Sequence, residues 1–211
     1  MKLTLLGVTG STGAALLAQA LAHGHDIIAV ARTPAKVTAS APNLKVVAGD
    51  VMAPDTLVAP FAGAEAIVSC VGVASPMQAR KGTTVYSAGT RNIVDAMHKA
   101  GARRLIVVSS AGVAPRKGAP ILYKLIVKPY FLEPSYRDMR LMEAFLRSSD
   151  VDWTIVRPPY LTDGGLRTDY RLQADGNFDD DRALPRTSLA HFLLAEAETP
   201  RYTRRVVAIS G

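Results

Sequence analysis

Seven short stretches of this chain are apolar at successive positions instead of every second one: KLTLL (2–6), IIAVA (27–31), LKVVAGD (44–50), AIVSCVG (66–72), RLIVVSS (104–110), WTIVRP (153–158) and VVAIS (206–210). A strand with one wet face alternates apolar and polar residues, so strands apolar on both faces require a parallel sheet covered on each side by helices. Helical periodicity fits the intervening segments STGAALLAQALAHG (11–24), TVYSAGTRNIVDAMHKAG (84–101), YRDMRLMEAFLRSS (136–149) and TSLAHFLLAEAE (187–198), with Gly24 and Gly101 as C-caps. Strand and helix alternate from the first residue, which predicts a doubly wound α/β fold with a mostly parallel sheet of about seven strands and helices on both faces. At 211 residues and 48% hydrophobic, the chain can bury one large core. A single domain over 1–211 is therefore expected, since no repeat, low-complexity tract or linker divides it.

The first strand runs into LLGVTGSTGAALL (5–17), where Gly7, Gly10 and Gly13 recur every third residue at a strand-to-helix junction. Glycine weakens strands and helices alike, so a cluster at such a junction marks a backbone that turns tightly and approaches something closely. In a doubly wound fold that loop lies at the carboxyl edge of the sheet, where the next helix presents unpaired N–H groups and the positive end of its dipole. A pyrophosphate docks at such a place. Gly-x-x-Gly-x-x-Gly is not the Gly-x-Gly-x-x-Gly of the older dehydrogenase fingerprint, and it gains its meaning from the strand before and the helix after. The expected ligand is a dinucleotide, with Gly7, Gly10 and Gly13 on the pyrophosphate and Thr9, Ser11 and Thr12 assisting.

An acid at the end of the second strand would bond the ribose 2′-hydroxyl of NAD(H), whereas a cation there accommodates the 2′-phosphate of NADP(H). IIAVA runs into RTPAK, so Arg32 holds this position and no acid does. NADP(H) is the expected cofactor, with NAD(H) the alternative if Arg32 is an ordinary surface arginine; Lys36 is an accessory candidate. After the third strand, Asp50 and Val51 can flank the adenine, or Asp50 can cap the helix that follows.

The remaining composition narrows the possibilities. The net charge is +7, but the basic residues are scattered apart from ARRL (102–105), APRKGAP (114–120) and RYTRR (201–205), and no zinc-finger or RNA-binding signature accompanies them. No nucleic-acid partner is expected. No apolar run reaches the roughly 18 residues that span a bilayer, so no membrane partner is expected. The one cysteine, Cys70, fits a reducing, cytoplasmic setting. His23 and His25 flank a helix end and His98 and His191 stand alone on helices. Two potential ligands at a spacing of two, without a cysteine beside them, predict no metal site.

GVTGSTG, ARTPAK, GDV, VVSSAG and DWTIVRPP occur in the order found in atypical short-chain dehydrogenase/reductases. Over nearly its whole length the chain most resembles their small NAD(P)H-binding branch, which includes biliverdin and flavin reductase-like and NmrA-like proteins. The resemblance implies a Rossmann fold, a cofactor shell that also takes in Cys70, Gly72 and Ser109, and an active-site serine in VVSSAG, with Ser110 the better match. The alternative is that both hydroxyls of that pair satisfy backbone groups of the turn. Arg157, in VRPP, is read as an anchor for its loop.

Most of the wider superfamily delivers a proton from a tyrosine whose pKa is lowered by a lysine four residues later. None of the seven tyrosines has that lysine: Tyr123 has Lys128 at five and Tyr136 has Arg140 at four. Counting back from DWTIVRPP puts the family lysine near Asp138 or Met139. Tyr136 stays the candidate acid, against the alternative of a helix-surface pair with Arg140.

Ketone reduction creates an alkoxide that needs prompt protonation, whereas a conjugated acceptor delocalises the added charge. The expected activity is therefore hydride transfer from NADPH to a small aromatic or conjugated acceptor such as a flavin or quinone. APILYKLIVKPYFLEPSY (119–136) is the expected pocket wall, with an oligomer contact as its alternative. A non-catalytic redox sensor is the rival reading and a nucleotide-sugar epimerase or dehydratase the third, although the chain after DWTIVRPP leaves only a small substrate-side region. The subunit state is expected to be monomer or homodimer.

Overall fold

Consecutive apolar residues of each strand feed opposite layers. Leu3, Leu5, Ile106 and Val156 pack with Leu16, Leu17, Leu189 and Leu193 in one buried cluster. Leu6, Leu105, Val107 and Ile155 pack with Phe61, Ile93, Met97 and Met142 in the other. The computed structural model describes residues 1–73, 82–114 and 132–211. Each fully buried Leu, Ile or Phe contributes roughly 1.5–3 kcal/mol, so the two layers supply the main drive to fold.

The strands are β1 (Lys2–Leu6), β2 (Asp26–Ala31), β3 (Leu44–Ala48), β4 (Ala66–Ser69), β5 (Arg104–Val108), β6 (Asp152–Arg157), β7 (Leu161–Thr162), β8 (Arg171–Ala174), β9 (Leu184–Pro185) and β10 (Arg205–Ser210). Eight of them form one sheet in the order β3-β2-β1-β4-β5-β6-β10-β8, while β7 and β9 pair separately. Every neighbouring pair in the large sheet is parallel except β10 and β8. The helices are α1 (Ser11–Ala22), α2 (Asp55–Phe61), α3 (Ser87–Ala100), α4 (Glu133–Ser148) and α5 (Arg186–Glu198). This is the Rossmann architecture, and its strand order reverses between β1 and β4.

Three strands of the described chain go beyond the expected seven. The edge strand β8 carries RLQA with little apolar character, and β7 and β9 are two residues each, so none has a run that periodicity detects. Helix α2 is seven residues long with Pro60 inside it, which hides it from helix propensity. The sheet ladder also stops at Ser69 and Val108, short of the apolar runs, because both chains must turn where β4 and β5 reach the carboxyl edge. Most of the 119–136 segment, including Tyr123 and Lys128, lies outside the described residues.

A buried ion pair ties α5 to the sheet. The Arg104 guanidinium donates to Glu196 Oε1 at 2.7 Å, Thr154 Oγ1 at 2.8 Å and the Asp152 carbonyl at 2.9 Å. Burial pulls Arg104 below its ordinary pKa, and the Glu196 carboxylate opposes that pull. Glu196 also accepts from the amides of Arg201 and Tyr202, each at 3.0 Å. Removing one partner strands a buried charge, whereas replacing both with apolar groups removes the desolvation cost as well. Glu196→Ala is expected to lower unfolding free energy by about 3 kcal/mol or more in urea titrations, with Arg104→Met plus Glu196→Leu closer to the parent.

Candidate functional site

The reversal between β1 and β4 leaves a crevice at the carboxyl edge of the sheet, and the glycines line it. Gly7 follows β1 with φ +78, and a Cβ there would lie 2.5 Å from the Cys70 carbonyl oxygen. Gly13, in the first turn of α1, would place a Cβ 2.2 Å from the Gly7 carbonyl oxygen. Both contacts are sterically impossible for any other residue, so the two glycines let β1, α1 and the end of β4 meet backbone to backbone. Gly10 is the N-cap of α1 in extended conformation, and no side chain caps this helix. The amides at its start therefore remain for an anion.

A cavity of about 850 Å³ opens over these amides. Gly7, Thr9, Gly10, Ser11, Arg32, Asp50, Val51, Cys70 and Gly72 all line it. Thr12 and Gly13 are not in its wall; Gly13 acts from behind, by bringing the helix close. The volume falls in the upper part of the range for small-molecule sites, about 300–1,000 Å³. Arg32 is exposed at the end of β2 and, among the described residues, has no hydrogen-bond or ion-pair partner. Asp50 is held in a turn, where its Oδ1 accepts from the Met52 amide at 3.0 Å. Cys70 is partly buried, and burial pushes its thiol up to about 12.

One wall residue, Arg186, and one residue packed behind the wall against Gly72, Tyr86, were not legible in the sequence. Arg186, the first residue of α5, reaches the cavity from 154 positions beyond Arg32 and pairs with Asp163 Oδ1 at 2.6 Å. Tyr86 stands just before α3, and its hydroxyl accepts from the Val73 amide at 3.3 Å. Burial raises the Tyr86 phenol above its ordinary pKa and the nearby Asp138 carboxylate adds to the rise, so it stays protonated at neutral pH. No local pattern marks either residue.

The serines of VVSSAG diverge. Ser109 is buried and donates to Glu143 Oε1 at 2.7 Å, so its hydroxyl enters an interior network instead of the cavity wall where a cofactor contact was expected. The physical reason is Glu143 itself: a buried carboxylate on α4 needs donors, and Ser109 and Arg157 supply them, the latter through Nε at 2.9 Å and through Nη2. Ser110 caps the short 3₁₀ turn Ala111–Val113 by accepting from the Gly112 amide at 3.2 Å. That bond uses an oxygen lone pair, so the Ser110 proton can still be donated.

Tyr136 comes to the same turn. A Cβ on Gly112 would lie 2.4 Å from the Tyr136 hydroxyl oxygen, so the phenol packs directly on the Gly112 backbone beside Ser110. Neither Ser110 nor Tyr136 lines the cavity in the described residues. Arg140 places its guanidinium on Glu133 and on the Val113 carbonyl, the latter at 3.4 Å. At the position counted for the family lysine, Asp138 is buried and caps α3, accepting from the Tyr86 amide at 2.9 Å and the Ser87 amide at 3.3 Å. A carboxylate committed to a helix cap does not perform the lysine's task.

Residues 7–200 match the family described as NAD(P)H-binding. The chain belongs to this family. Its solved structural relatives cover it end to end: ChuY, an anaerobillin reductase from Escherichia coli O157:H7, is 25% identical with a TM-score of 0.77, covering 100% of this chain and 97% of that one. A wide-type short-chain dehydrogenase/reductase from Veillonella parvula in complex with NADP shares the fold at 20% identity and a TM-score of 0.80, covering 100% and 94%. An uncharacterized chloroplastic protein of Arabidopsis thaliana is 28% identical over 183 residues, which is 80% of this chain and 60% of that protein. The resemblance to the small NAD(P)H-binding branch therefore holds for family and fold. Among the described residues, no helix is long and apolar enough to cross a membrane.

The high thiol pKa has a direct consequence. At pH 8, scarcity of thiolate outweighs its greater nucleophilicity. Cys70 in the folded protein should be alkylated by iodoacetamide roughly a hundredfold more slowly than in the urea-unfolded chain, as followed by mass spectrometry. Gly13→Ala is expected to weaken nucleotide binding by roughly tenfold or more in a calorimetric titration, because the helix amides must move away from β1.

Proposed function

We propose that this protein is an NADPH-dependent reductase that transfers hydride to a small conjugated acceptor of the flavin or quinone class. The observation that carries the reading is a cavity with an uncapped helix N-terminus at one end and, at the end of β2, Arg32, which has no hydrogen-bond or ion-pair partner among the described residues. The amides of Thr9 and Ser11 hold the pyrophosphate beside Gly10, whose own amide donates to the Gly7 carbonyl at 3.0 Å, and Arg32 takes the 2′-phosphate. Arg186 exchanges its exposed partner Asp163 for the diphosphate charge. Val51 and Asp50 flank the adenine, while Cys70 and Gly72 form the floor towards the nicotinamide.

When bound, NADPH supplies a hydride that reduces the acceptor by two electrons, and a proton from solvent completes the reduction. This chain contributes orientation more than proton transfer. Ser110 keeps a proton for a hydrogen bond to an acceptor oxygen, and Tyr136 holds the turn that carries Ser110 by packing on the Gly112 backbone. The lysine-activated tyrosine of ketone reductases is absent from the sequence, and Asp138 occupies its partner's place. An acceptor whose reduced anion is delocalised does without that acid.

Nicotinamide absorbance should fall when the protein is mixed with NADPH and a panel of flavins, quinones and tetrapyrroles. Tight binding without turnover on any acceptor would instead support a non-catalytic sensor. Arg32→Asp is expected to raise the NADPH dissociation constant at least roughly tenfold while leaving NADH binding within a few-fold, the loss of one charge-assisted phosphate contact. A parent protein without preference for the phosphorylated nucleotide would remove the cofactor assignment.

A further inference from the structure

The opposite end of α1 carries a cluster that nucleotide binding does not use. Asp26 follows His25 in the sequence, but the carboxylate that meets both imidazoles is delivered by the fold from Glu198, the last residue of α5. His23 Nδ1 lies 2.9 Å and His25 Nε2 2.7 Å from the same oxygen, Glu198 Oε1. The three donor atoms all lie within 4.8 Å of one another. His25 is buried against the protein, with 11% of its side chain exposed, while His23 at 50% faces solvent.

We propose that His23, His25 and Glu198 form a binding site for a divalent transition cation of the zinc class. Two imidazoles and one carboxylate are a borderline-soft donor set that suits zinc and leaves a fourth tetrahedral position for water. Tetrahedral donors at about 2.0–2.1 Å from zinc stand about 3.4 Å apart. Opening the N···O contacts by about 0.5 Å at His23 and about 0.7 Å at His25 therefore brings the present hydrogen-bonded trio to the separations of a ligand set. The exposed His23 ring, on the C-cap of α1, has room to make that adjustment. His25 Nδ1, which faces the Met1 nitrogen at 3.5 Å, is left outside the ligand set.

The place of the cluster gives the cation a structural consequence. Helix α1 starts at Ser11 and α5 starts at Arg186, both in the wall of the cavity, and the two helices end at His23 and Glu198. The same two helices are linked along their length by Gln19 Nε2 donating to the Thr187 carbonyl at 2.9 Å. A cation at the far end staples the pair that carries the phosphate-binding wall, and binding to the native state alone stabilises it by mass action.

The test uses tag-free full-length protein stripped with EDTA and titrated calorimetrically with zinc chloride. One equivalent is expected to bind, and zinc held at 100 times its dissociation constant should raise Tm by roughly 5–10 °C. His25→Gln and Glu198→Gln should each weaken binding by at least roughly tenfold, while His98→Gln and His191→Gln leave it intact. Cobalt(II) gives a readout on the parent protein that does not depend on any variant folding. A four-coordinate spectrum without a thiolate charge-transfer band places the ion on nitrogen and oxygen, whereas such a band assigns it to Cys70 and overturns the proposal. Absence of saturable zinc binding in the parent, or binding unchanged in both cluster variants, also overturns it. Neither outcome bears on whether NADPH binds at the other end of the helices.

Discussion

Gly7 and Gly13 bring three backbone segments into contact with no side chain between them. The chain leaving β1 passes against the Cys70 carbonyl on one side and against the first turn of α1 on the other, at distances no Cβ tolerates. Because β1 and β4 are also where the strand order reverses, the helices that follow them diverge to opposite faces of the sheet and leave a crevice between them. The depth of that crevice and the aim of the α1 amides both follow from this close approach. The nucleotide-binding role of the crevice rests on it.

The same physical device fixes the helices around the crevice. Each of α4 and α5 buries one carboxylate against an arginine from the sheet: Glu143 with Arg157 of β6, and Glu196 with Arg104 of β5. Arg104 opens its strand and Arg157 closes its own, so one pair secures the floor of the sheet and the other the carboxyl edge. The Glu143 pair explains the divergence of the two serines. Strand geometry turns neighbouring side chains to opposite sides, so Ser109 is drawn to the buried carboxylate while Ser110 stays with the turn that Tyr136 covers. Asp138 extends the pattern by capping α3 from α4.

Legibility in the sequence followed the range of the interaction. The parallel core strands and four long helices were readable because burial on both faces and a 3.6-residue period are local signals. The cavity wall through Gly7, Thr9, Gly10, Ser11, Arg32 and Asp50 was readable because each lies just past the end of a recognisable strand, where a doubly wound fold gathers its loops. Arg186 in the wall and Tyr86 behind it were not, since helix packing that no local spacing encodes brings them there. The Glu198 carboxylate was missed for the same reason: it meets His25 from 173 positions away. Ser109 was misplaced because its environment is set by Glu143, on a helix 34 residues downstream.

The central claim is that the amides of Thr9 and Ser11, at the entry to α1, receive the diphosphate of a nicotinamide cofactor. A crystal structure of the protein grown with saturating NADPH tests it most directly. The account predicts diphosphate density on those amides, with the 2′-phosphate beside Arg32. Nucleotide bound elsewhere, or a crevice still holding only solvent at saturation, would contradict it.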